Sequence, residues 1–327
     1  MGAGLMTLTP APFFEDVAGG PAGGQAHWVQ TADGIRIRVG HWRPEDATGG
    51  TVMMFPGRTE YVEKYGDAAR EFVGRGFAFL AVDWRGQGLA DRLLPDPRVG
   101  HVEKFPDYQK DVAAVMQLAE ELDLPKPWYV IGHSMGGAIG LRAVIERGGF
   151  SACAFTGPMW GIFFSPVMKP LSQITAYWGP RFGFGHKTPP TTSLDSYVAT
   201  QPFEGNVLTR DPDMYRMMKD QLAAHPELAL GAPSTIWLRE ALDECKWLMS
   251  QPAPDLPCLT FMGGHEQIVD RKAIRKRMAN WPKGQLVEIP DGEHEVLMEG
   301  PEVRGQVYLQ ISDLFQANHP NGQLKSA

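Results

Sequence analysis

A serine held between glycines, a histidine near the end of the chain and a carboxylate between them could together activate a nucleophile. Ser134 stands in Gly132-His133-Ser134-Met135-Gly136. The apolar run 128–131 before it reads as a buried strand, and 137–145 after it reads as a helix. A strand, a sharp turn carrying serine and then a helix is the setting that lifts a hydroxyl to the top of a sheet. Gly132 and Gly136 leave room for such a turn to pass close to neighbouring backbone. Ser134 is the candidate nucleophile. The plainer reading is a glycine-rich turn with serine as a helix N-cap.

A serine hydroxyl is a weak nucleophile at neutral pH. It needs a base to take its proton and a third group to orient that base. His294 lies in Pro290-Asp291-Gly292-Glu293-His294-Glu295, just after a strand expected at 285–289, and is the candidate base. The order serine, acid, histidine is the one expected for a serine on a strand–turn–helix elbow. The acid should follow the strand expected at 258–262, where the sequence offers Glu266 and Asp270. Glu266 is nearer the strand end and is favoured. Asp270 also suits the N-cap of a helix beginning near 271, and it stays as the alternative. His265 reads as a solvated neighbour.

Negative charge developing on a carbonyl oxygen needs backbone N–H donors. Met135, directly after the serine, supplies one. Pro56 has no N–H, so Arg58 is expected to supply the second from the loop Pro56-Gly57-Arg58-Thr59. That loop also reads as a turn into a helix, with Thr59 as its cap.

These groups must be positioned by alternating elements. A hairpin is expected from 26–31 and 35–42 around Ala32-Asp33-Gly34. Buried strands are expected at 51–55 and 77–82, with helices over 60–75 and 106–122. A further strand is expected at 150–155. The alternation resumes with a helix at 235–249, a helix at 271–280 and a helix at 301–315. This rhythm is that of a mostly parallel sheet covered on both faces. Asp83 and Arg85, in Asp83-Trp84-Arg85-Gly86-Gln87-Gly88, read as a loop brace. Residues 159–233 break the rhythm. They are rich in proline, methionine and aromatics, and read as an inserted helical cap over the carboxyl edge of the sheet. The expected organisation is a flexible lead-in over 1–25, a core from 26–158 and 234–317, the cap at 159–233 and a polar tail at 318–327.

Composition limits the partners. Among 327 residues, 43% are hydrophobic and the net charge is −7, with no basic patch interleaved with aromatics. Nucleic acid is therefore not expected as a partner. Cys153, Cys245 and Cys258 are widely spaced, which suggests neither a disulfide framework nor a zinc site. The histidines His27, His41, His101, His186 and His225 have no metal-ligand spacing. No metal and no cofactor are expected. The N-terminal stretch lacks a basic start and a long apolar run, so no secretory signal is expected. The expected location is cytoplasmic, with peripheral membrane contact left open and oligomeric state undetermined.

The chain resembles the α/β-hydrolase superfamily, and within it the lysophospholipase L2 and monoacylglycerol lipase group. The resemblance rests on Phe55-Pro56-Gly57-Arg58-Thr59-Glu60, Asp83-Trp84-Arg85-Gly86-Gln87-Gly88, Gly132-His133-Ser134-Met135-Gly136-Gly137 and the His294 loop. The run Arg92-Leu93-Leu94-Pro95-Asp96-Pro97-Arg98-Val99-Gly100-His101-Val102 resembles the lysophospholipase L2 branch in particular. The chain departs from many relatives in having Pro56-Gly57 in place of His-Gly. It also departs from many superfamily members, which have aspartate where Glu266 stands. The resemblance implies an α/β-hydrolase fold and a serine hydrolase that cleaves esters of single-chain lipids through an acyl-enzyme. Two other readings keep the same fold: an esterase for small soluble esters, and a non-catalytic protein that binds a ligand.

Overall fold

The computed structural model describes residues 8–190 and 192–320. Its centre is a nine-stranded sheet. In chain order the strands are β1 (Thr9–Pro10), β2 (Gln25–Gln30), β3 (Arg36–Trp42), β4 (Thr51–Phe55), β5 (Ala78–Asp83), β6 (Trp128–His133), β7 (Ala152–Thr156), β8 (Cys258–Gly263) and β9 (Gly284–Ile289). They lie side by side as β1-β2-β3-β5-β4-β6-β7-β8-β9. From β5 to β9 all pairings are parallel, while β1, β2 and β3 pair antiparallel at one edge.

Strand alternation divides the core into two halves. Met53 and Phe55 of β4 and Val130 of β6 enter one apolar cluster. Val52 and Met54 of β4, with Tyr129 and Ile131 of β6, enter the other. Successive side chains of a strand point to opposite faces, so a strand buried on both faces must be apolar throughout.

The helices are α1 (Glu15–Ala18), α2 (Gly66–Gly74), α3 (Tyr108–Glu121), α4 (Met135–Glu146), α5 (Met168–Trp178), α6 (Tyr197–Thr200), α7 (Pro212–Ala224), α8 (Thr235–Ser250), α9 (Arg271–Met278) and α10 (Pro301–Ala317). Val112 of α3, Ile139 of α4, Ala241 of α8 and Ile274 of α9 cover the first face. Phe72 of α2 and Ile311 of α10 cover the second. The N-caps are local. The Ser234 side chain accepts from Trp237 N–H to open α8, and that of Asp270 accepts from Lys272 N–H to open α9.

Three expectations need correction. The helix expected over 60–75 is a 3₁₀ turn at Val62–Tyr65 followed by α2. Thr59 does not cap it; it takes a φ of 70° in the tight loop ahead of it. The expected flexible lead-in is packed wherever it is described. β1 pairs with β2, α1 forms, and the Phe13 ring lies 5.4 Å from that of Trp42, edge to face. Small residues there let the backbone lie against the core rather than leave it. Of the polar tail expected at 318–327, residues 321–327 lie outside the described residues.

The Asp83 and Arg85 brace is present. Arg38, fully buried, pairs with Glu63 and with Asp83 at 2.7 Å each. Asp83 also accepts the N–H of Val62 and of Leu89. Arg85 pairs with Asp111 and Asp33. These bonds fix the loops after β4 and β5 at the carboxyl end of the sheet.

Candidate active site

β6 ends and α4 begins at Ser134, which adopts φ 50° and ψ −117°. A non-glycine residue rarely takes a positive φ, and here the surroundings enforce it. Ser134 N–H donates to Thr156 O at 3.0 Å, and its carbonyl accepts from Gly137 and Met159. Gly136 is required sterically, because a Cβ there would lie 1.9 Å from Phe55 O. The serine side chain is thereby held at the wall of a cavity of about 470 Å³, which His294 also lines.

His294 and Glu266, 28 residues apart in sequence, meet with Nδ1 2.6 Å from Oε2. Both side chains are almost wholly buried. The other Glu266 oxygen accepts the N–H groups of Ile268 and Val269 at 2.6 and 3.1 Å. Burial raises the Glu266 pKa, but the His294 charge, its hydrogen bond and these two N–H donors outweigh burial and hold it below its ordinary value. Behind the pair sits Gly157 at φ 48°, where a Cβ would crowd His294 Nδ1 at 3.1 Å and Glu266 Oε2 at 3.2 Å. Asp270 does not reach His294; its carboxylate caps α9. Of the two carboxylates open in the sequence, only Glu266 touches the histidine. His265 is half exposed, 3.5 Å from Glu293.

Arg58 and Met135, from which the oxyanion donors are expected, line the same cavity. Met135 is the first residue of α4, whose first-turn N–H groups have no acceptor within the helix. Across from it, Gly57 N–H donates to Glu60, so Arg58 is the next donor along that loop. The loop is pinned by Trp84 Nε1 on Pro56 O and by Gln87 on the carbonyls of Gly57 and Glu60. Arg58, Met135, Ser134 and His294 line one cavity.

Beneath them is a network that the sequence reading missed. Lys64 bonds Glu60 at 2.6 Å and Glu295 at 2.7 Å. His133 lies 3.2 Å from Glu295 and 2.9 Å from the Thr156 hydroxyl, and Tyr65 donates to Glu60. All four ionisable groups, Glu60, Lys64, His133 and Glu295, are buried. Burial lowers the pKa values of His133 and Lys64, but the facing carboxylates more than restore them, so both end raised. Burial raises that of Glu295, but His133 and Lys64 take it well below its ordinary value. The network joins the residue before Ser134, the residue after His294 and the loop carrying Arg58. Its only sequence signals are the i, i+4 spacing of Glu60 and Lys64 and the adjacency of Glu295 to His294.

Two histidines that looked scattered also converge: His101 and His186 lie 3.1 and 3.5 Å from the same Glu103 oxygen. Glu60, His133 and Glu295 could likewise surround a metal. There the Lys64 ammonium already faces both carboxylates.

The same architecture occurs in known proteins. Residues 46–301 match the family described as serine aminopeptidase, S33. The chain belongs to that family. It is 33% identical over 305 residues to lysophospholipase L2 of Escherichia coli (strain K12), covering 89% of this chain and 87% of the relative. It is 26% identical over 257 residues to a monoacylglycerol lipase of Mycolicibacterium smegmatis, covering 76% and 84% of the two chains. Among solved structures, a soluble variant of the Saccharomyces cerevisiae monoglyceride lipase superposes with a TM-score of 0.69 at 18% identity, covering 89% of this chain and 94% of that one. The S33 chain described here has the α/β-hydrolase fold and is a serine ester hydrolase. Among the described residues, no helix is long and apolar enough to cross a membrane.

Proposed function

We propose that this protein hydrolyses the carboxylic ester of single-chain lipids, a lysophospholipid or a monoacylglycerol, through an acyl-enzyme. The observation that carries the reading is the 2.6 Å His294–Glu266 bond at a cavity that Ser134 also lines. His294 takes the Ser134 proton as the oxygen attacks the ester carbonyl. The N–H groups of Met135 and Arg58 receive the oxyanion. His294 then protonates the leaving alcohol, and later activates the water that frees the fatty acid. Glu266 holds the imidazole and stabilises its cationic form.

The substrate class is supported by the named relatives and by the cavity wall. Met159, Ile162, Leu208, Met218, Leu222 and Leu238 offer apolar surface suited to an acyl chain. Residues 159–233 act in this reading as a cap, since part of that wall comes from them. Transient contact with a lipid surface belongs to the same proposal. Val167, Leu171, Ile174 and Trp178 form one exposed stripe along α5.

The test is fatty acid release by the purified protein from a lysophospholipid and from a monoacylglycerol of the same acyl length, with Ser134→Ala as control. Release that disappears in the variant is expected. Turnover of short soluble esters alone would point to a small-ester esterase. Lipid binding without any turnover would make this a ligand-binding protein.

A further inference from the structure

Four basic side chains line the cavity: Arg58, Lys64, His133 and His294. Three of them face carboxylates. Lys64 lies on Glu60 and Glu295, His133 on Glu295, and His294 on Glu266. Among the described residues, no carboxylate lies within ion-pair distance of the Arg58 guanidinium. Its side-chain hydrogen bond runs from Nη1 to Gly231 O at 2.7 Å, and the group lies 5.7 Å from the Trp237 ring centroid. Among the described residues its remaining N–H groups have no hydrogen-bond partner, and they are not sealed from solvent. Burial pushes the Arg58 pKa down to about 10, so the group stays cationic at neutral pH without a counter-charge. A partly desolvated cation without a counter-charge is unfavourable, and an anionic ligand group would relieve it.

The same residue offers its backbone N–H to the oxyanion, which fixes where its side chain starts. In a glycerophospholipid with one acyl chain, the phosphorus lies about six bonds from the ester carbonyl carbon. The guanidinium carbon of an arginine lies about six bonds from its own backbone nitrogen. The two spans match, so the carbonyl oxygen can meet the N–H while the phosphodiester meets the guanidinium. Arginine suits that contact, because its planar fork donates two parallel hydrogen bonds to phosphate oxygens. A monoacylglycerol has a hydroxyl at this distance and cannot use the charge.

We propose that Arg58 is a specificity-determining residue whose guanidinium binds the anionic phosphodiester of a lysophospholipid while its backbone N–H faces the ester carbonyl oxygen. This rests on the lipid-ester reading above and narrows it.

The test measures binding with ether-linked analogues, which cannot be hydrolysed, so that it does not depend on turnover. Calorimetry would compare a 1-O-alkyl glycerophosphocholine with a 1-O-alkylglycerol of equal chain length, both below their micelle concentrations. Wild type should prefer the phosphodiester by about tenfold or more, the usual range for charge-assisted hydrogen bonds. Arg58→Met, which keeps an apolar stem beside Trp237, should erase that preference, and Arg58→Lys should restore part of it. A preference ratio that is the same in wild type and Arg58→Met, or no preference in wild type, overturns the proposal. Equal affinity for chain-free glycerophosphocholine overturns the lipid assignment. A purely bracing arginine would weaken both ethers alike and leave the ratio unmoved. The matched ester pair separates the two claims. Wild type that cleaves neither ester sinks the hydrolase reading, while the ether ratio still decides the role of Arg58.

Discussion

The floor of the cavity and the segment above it are built on opposite physical terms. Below, Glu60, Lys64, His133 and Glu295 are buried and paired, and Ser134 and Gly157 are locked in backbone conformations that their neighbours enforce. Above, Val167 just ahead of α5 and Leu171, Ile174 and Trp178 on it turn to solvent, and within that helix it is Ala176 that is buried. A reacting constellation must be held to within a fraction of an ångström, which needs over-determined packing. A surface that admits a greasy substrate must stay open to it, which forbids the same packing. The difference teaches that activity should break at the floor, and lipid access at the α5 stripe.

The sharpest break is Ser134→Ala. We expect kcat to fall by about a thousandfold or more with the fold intact, read by steady-state kinetics beside a circular dichroism spectrum. Retained turnover would remove Ser134 from the chemistry. Glu266→Gln keeps the shape but loses the charge that orients His294, and kcat should fall by about a hundredfold to ten-thousandfold. Asp270→Ala is its control. It should leave kcat unchanged and lose about 1 kcal/mol of stability in urea melts through the missing α9 cap. The reverse pattern would exchange the roles of the two acids.

Glu295→Gln probes the paired floor without touching the proposed reacting groups. Removing one partner of a buried ion network should cost about 3–5 kcal/mol in denaturant melts. The pH dependence follows from the signs. Glu295 and Glu266 have lowered pKa values when folded, so their stabilisation is present above the ordinary carboxylate range and is lost as pH falls through those folded values. His133 is raised, so its contribution is complete below its ordinary value and is lost as pH rises through the folded one. Thermal melts should peak between these limits, and Glu295→Gln should flatten the acid limb. An unchanged acid limb would place the acid sensitivity elsewhere. The smallest effect on stability is expected above the floor. Ile174→Ser should change stability by about 0.5 kcal/mol or less, yet weaken binding to lipid vesicles in a sedimentation assay. Unaltered binding would separate α5 from the lipid surface.

Much of the core was legible because its signals are local. The alternation of apolar strands and amphipathic helices, the turn at Asp33-Gly34 and the N-cap at Asp270 each depend on neighbours in sequence. The lead-in was misread for the converse reason. Glycine and alanine in a sequence suggest flexibility, whereas Gly20 and Gly24 are small because Trp42 and Phe13 crowd them. The floor network stayed hidden because burial and pairing across 231 residues, as between Lys64 and Glu295, leave no periodic trace.

By itself the sequence determined the order of elements, the turn that presents Ser134 and the two loops from which a base and an acid could come, since all of these arise from short-range sterics and patterning. The tertiary structure alone decided that Glu266 and not Asp270 reaches His294, that His133, Lys64 and Glu295 support the floor, and that Arg58 faces the cavity without a counter-charge. Contacts between side chains distant in sequence exist only once the sheet has set its strand order and brought its loops to one edge.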